Sequence, residues 1–172
     1  MGVWTWLDRH DRGALERAMA GAMADAWLGA TYDDSSQFRA LSGHVAGMHT
    51  HRAWHALHVA LTGEEADGPA PACHVVWTTP GARGVSMSSA RFVHSVETVR
   101  DVADYLCALD EDRVVADLYA ARELGVYVYS FEGWEGALDL VQCGSFQRVF
   151  RAVVKFYQVA ASEAQAVVVR RG

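Results

Sequence analysis

The chain has 172 residues, about one domain's worth at ~150 residues per domain, and is 51% hydrophobic, 21% charged and 10% aromatic. That apolar fraction excludes disorder, collagen and coiled coil. Lys and Arg number 15 against 21 Asp and Glu, a net charge of −6, which repels phosphate backbones and argues against nucleic acid as a partner.

Residues 2–7 alternate, with Trp4 and Trp6 on one face and Val3, Thr5 and Leu7 on the other, predicting a strand. Asp11 is placed to cap a helix running to about Leu28, with Leu15, Met19, Met23 and Trp27 as its apolar stripe. From Thr31 to Thr50 the chain has little periodicity and reads mainly as loop. A second helix over Arg52–Thr62 stops at Gly63. Short strands are predicted at Cys73–Trp77 and Ala90–His94. Ser95 and Asp110 cap two further helices, the first carrying Val99, Val102 and Leu106 and the second Val114 and Leu118, closed by Gly125. Val126–Phe131 is β-branched and aromatic and reads as a strand, followed by an exposed turn at residues 132–136. A long helical stretch over about Ala137–Ala161, with a break near Gly144-Ser145, leads to a final strand at Ala166–Arg170. Strands at both ends with helices between them predict an α+β fold: a single compact domain over residues 1–172, with a small mixed or antiparallel sheet packed against several helices.

Cys73, Cys107 and Cys143 are far apart and odd in number, as expected of buried free thiols in a reducing compartment. The first ten residues lack a signal peptide's basic and apolar segments, and no stretch approaches the ~18 apolar residues of a membrane span. A cytoplasmic protein without membrane contact is expected. Six Trp and six Phe are many for this length and allow a homo-oligomer.

Five of the eight histidines, His44, His49, His51, His55 and His58, fall within fifteen residues. On a helix His51, His55 and His58 stand at i, i+4 and i+7, about 80 degrees from the Trp54, Leu57 and Leu61 stripe at ~100 degrees per residue. That places them at the edge of the buried face, where a cleft wall would lie. Neutral imidazoles at this spacing suit a divalent ion such as zinc or nickel, or acid–base chemistry centred on His58 and His55. No H-E-x-x-H or neighbouring carboxylate supports it, and histidines shielding a core explain the pattern more simply. Glu132 and Glu135 flank Trp134, an acid pair beside an aromatic platform or else a solvated turn with Trp134 folded inward. Ser86 in Gly84-Val-Ser-Met-Ser88 lacks the second glycine of a nucleophile elbow and reads as turn chemistry. Arg148, Arg151 and Lys155 share one helix face, a solvent stripe suited at most to an acidic partner.

Trp54-His-Ala-Leu57-His58-Val-Ala-Leu61-Thr62-Gly63 resembles the central signature of the YfbM-like family, a bacterial family of unknown function. Met1-Gly2-Val3, Ser89-Ala-Arg91-Phe92, Phe156-Tyr157 and the Val167-Val-Val strand match it in order along nearly the whole chain. The resemblance implies a compact α+β domain, with Trp54, Leu57, His58, Leu61 and Gly63 as family-typical positions and no established activity. His51 stands where the family pattern has an acidic residue, and Tyr127-Val128 where it has Tyr-Pro, so His49, His51 and His55 look private to this chain. Two functions follow as expectations. One is a non-catalytic binding or interaction protein, regulatory or toxin-neutralising, with a protein partner or small molecule. The other is a small-molecule enzyme using the helix-borne histidines.

Overall fold

The computed structural model describes residues 5–20, 43–76, 91–129 and 132–171. Four antiparallel strands form one sheet in the order β2-β1-β4-β3: β1 (Thr5–His10), β2 (His44–His49), β3 (Arg91–His94) and β4 (Ala166–Arg171). The chain-terminal strands β1 and β4 are the central pair, running from Thr5↔Arg171 to His10↔Ala166. Successive side chains alternate across the sheet, so Leu7, Val167 and Val169 face the main core while Trp6, Asp8, His10, Val168 and Arg170 share the other face.

The described helices are α1 (Arg12–Met19), α2 (Trp54–Thr62), α3 (Val96–Cys107), α4 (Glu111–Glu123), α5 (Gly133–Gln142) and α6 (Ser145–Ser162). The predicted caps hold. Asp11 accepts from Ala14 N at 2.7 Å, Ser95 from Thr98 N and Asp110 from Arg113 N at 3.0 Å, each satisfying an amide that the first helical turn leaves without an intrahelical partner. Gly144, at φ 69°, separates α5 from α6 where the break is expected, in a left-handed conformation that costs glycine least. α6 buries Phe146, Phe150, Val153, Phe156 and Tyr157, and the Tyr157 hydroxyl donates to Val75 O at 2.9 Å. No described helix is long and apolar enough to cross a membrane.

Several expected elements take other forms. β1 extends to His10, with residues 2–4 outside the described set. The part of the expected loop that is described, 44–49, is the edge strand β2. The expected strand at 73–76 is instead a 3-10 turn over Ala72–His74 followed by buried Val75 and Val76, which plug the core without joining a ladder. Residues 126–129 belong to no strand. The expected exposed turn at 132–136 is the first turn of α5. Cys73 is buried as expected, but Cys107 and Cys143 are exposed. Met23, Trp27 and Ser86 lie outside the described residues.

Candidate functional site

α2 is not amphipathic in its setting: every residue from Trp54 to Leu61 is buried. His55 and His58 therefore stand inside the protein and form no cleft wall. His55 Nδ1 accepts from Tyr129 N at 2.7 Å, and its Nε2 lies 2.7 Å from Glu65 O. An acceptor at Nδ1 places the proton on Nε2, so the neutral ring bridges two backbone segments and has no nitrogen left for a metal or a substrate proton. His58 is 0% exposed and stacks on His55 at 6.0 Å between centroids. His51 opens the 3-10 turn His51–Ala53, and its side chain lies outside the described set. Among the described residues no group of three or more His, Cys, Asp or Glu is arranged to hold a metal ion.

Of the predicted binding residues, the two tryptophans are drawn inward and the two glutamates stay exposed. Trp54 is 3% exposed and packs edge-on against His55. Trp134 is half-buried, and its indole N–H donates to Val126 O at 2.9 Å, so it is no platform between the acids. Glu132 and Glu135 are exposed at the start of α5.

Two features emerge that sequence patterning does not reveal. The first is a polar ladder across the sheet face. Buried Asp8 accepts from Arg170 Nε and lies 3.2 Å from His44 Nε2. The Arg170 guanidinium sits 5.5 Å over the Trp6 ring, and Trp6 packs on His49 at 4.8 Å. Gly47, opposite Asp8 in the register, makes room for the carboxylate, since a Cβ there would lie 2.5 Å from Asp8 Oδ1. Asp8 and Arg170 are separated by 162 positions, beyond any local motif.

The second is a groove of about 600 Å³, within the range of small-molecule sites, where the end of β2 and the 3-10 turn meet the α5–α6 junction. Met48, Ala53, Leu140, Val149 and Ala152 supply its apolar lining, and His49, Arg52, Ser145 and Arg148 its polar groups. The Arg148 guanidinium donates to Ser145 Oγ at 2.7 Å and Cys143 O at 3.3 Å. Cys143 Sγ lies 3.0 Å from Ser145 Oγ. The hydroxyl and the backbone N–H of Ser145, aided by the Arg148 charge, hold this thiol below the usual cysteine range. Of the basic stripe, Arg151 is paired with Glu111 at 2.8 Å, while Arg148 has no carboxylate within ion-pair distance among the described residues.

These features define an α+β domain in which a four-stranded antiparallel sheet and its helices frame an open, arginine-bearing groove. The family model described as "Domain of unknown function (DUF1877)" matches residues 13–170, and the chain belongs to that family. Its fold is similar to that of YfbM from Escherichia coli, a protein of unknown function: 13% sequence identity, TM-score 0.64, 98% of this chain and 99% of that one covered. No curated protein matches the chain.

Proposed function

We propose that this protein is a non-catalytic binding protein of regulatory type, and that the groove between β2 and the α5–α6 junction is where it takes its ligand. The observation that carries this reading is the groove itself. It combines the size of a ligand site, apolar lining and a few polar groups able to orient an occupant. The burial of His58 and the two backbone bonds of His55 support binding over acid–base chemistry on α2.

Native mass spectrometry tests it on the full chain equilibrated with the low-molecular-weight fraction of a cell extract. The expected result is a retained small molecule of unchanged mass, lost from Ala152→Trp, which fills the groove from an exposed position on α6. A compound consumed by the wild type but not by His58→Gln would overturn the reading in favour of an enzyme.

A further inference from the structure

We infer that the groove selects a small organic anion, an apolar body carrying one carboxylate or phosphate head group; this rests on the binding reading above and deepens it. The first ground is charge. The chain carries 21 acidic residues, yet none is among the described residues lining the groove, where both charged side chains, Arg52 and Arg148, are arginines. In a molecule of net charge −6, a concavity whose described charged lining is cationic, with Arg148 outside any ion pair to a described carboxylate, favours anions.

The second ground is donor chemistry. The guanidinium is a planar fork matched to carboxylate and phosphate oxygens. Arg148 is held at the groove by Ser145 Oγ and Cys143 O, so part of its ordering cost is already met before a ligand arrives. Ser145 Oγ and the ring of His49 add polar groups beside it. The α6 N-terminus, with no side-chain cap, adds a partial positive charge in the same region.

The third ground is that the remaining lining is aliphatic, from Met48, Ala53, Leu140, Val149 and Ala152. A bare inorganic anion would leave that surface wet, whereas an amphipathic one covers it.

The test is calorimetric titration of the full chain with octanoate, octyl phosphate and octanol, which share a tail and differ in the head. Binding of octanoate or octyl phosphate at least about tenfold tighter than octanol supports the inference, the tighter of the two identifying the head group. Arg148→Gln and Arg52→Gln should each weaken the preferred anion about tenfold, with the fold retained by near-ultraviolet circular dichroism. Arg151→Gln, on the same helix but paired with Glu111, should leave it unaltered. Octanol binding as tightly as the anions, with Ala152→Trp abolishing all three, would overturn the anion inference and keep the groove as a binding site. No binding of any probe to the wild type would overturn both.

Discussion

Replacing Asp8 by Ala removes the carboxylate from one of the most enclosed ion pairs in the described structure. The side chains of Asp8 and Arg170 are 3% and 6% exposed, so solvent screens the pair little. Deleting one partner of a buried pair costs about 3–5 kcal/mol, because the remaining charge keeps its desolvation penalty and loses its compensation. In a chain of this size about 1 kcal/mol moves the midpoint by roughly 2–4 °C, so Asp8→Ala should melt about 10 °C below wild type. Urea unfolding followed by circular dichroism gives the free energy directly. The double variant Asp8→Leu/Arg170→Met removes both charges at similar volume and should recover most of the loss. A cost for Asp8→Ala below about 1 kcal/mol, or a double variant no more stable than the single, would refute the reasoning.

Three further outcomes follow from particular residues. Gly47→Ala should cost about 1–3 kcal/mol in the wild type and much less in the Asp8→Ala background, since the new methyl meets the Asp8 carboxylate; the four urea midpoints measure that coupling. Burial, reinforced by the charge of nearby His74, pushes His94 from 6.5 in the open chain down to about 3. The unfolded state therefore binds the extra proton between those values, so this contribution is fully present above about 6.5, declines by about 1.4 kcal/mol per unit as pH falls and is gone near 3. Urea midpoints at pH 7.5, 6.0 and 5.0 should show a shallower pH slope for His94→Leu, and equal slopes would dismiss the assignment. Cys143, with its thiol held low by Ser145, should be alkylated by iodoacetamide first, slowed by Ser145→Ala, while Cys73, buried and pushed up by that burial, should react only on unfolding.

The elements read correctly from sequence are those whose signals are local. Capping residues three positions from the amides they satisfy and a glycine at φ 69° before α6 need no distant partner to be recognised. The misread elements depend on partners far along the chain. β1 continues through Asp8, Arg9 and His10, a polar run that looks like a strand's end until Arg170 and His44 supply its bonds. β2 contains Gly47, a strand-weakening residue in isolation, because its neighbour across the ladder needs the space. Residues 126–129 have the composition of a strand, but the amide of Tyr129 is taken by the ring of His55 instead of an adjacent strand.

The site divides the same way. The density of histidines on α2 is visible in the sequence, yet periodicity cannot show that α2 is enclosed on every side, and that enclosure turns His55 from a ligand candidate into a bridge between backbones. Of the basic stripe, sequence spacing cannot tell that Arg151 meets Glu111 while Arg148 lines a groove with Arg52 and His49.

The central claim is that function resides in the groove and not in the α2 histidines. One titration addresses it most directly: the tighter of octanoate and octyl phosphate added to wild type, Ala152→Trp and His58→Gln, each first shown to be folded by its near-ultraviolet circular dichroism. Binding lost in Ala152→Trp and retained in His58→Gln is the predicted result. Binding that survives Ala152→Trp but disappears in His58→Gln would contradict it and move the site to the buried helix.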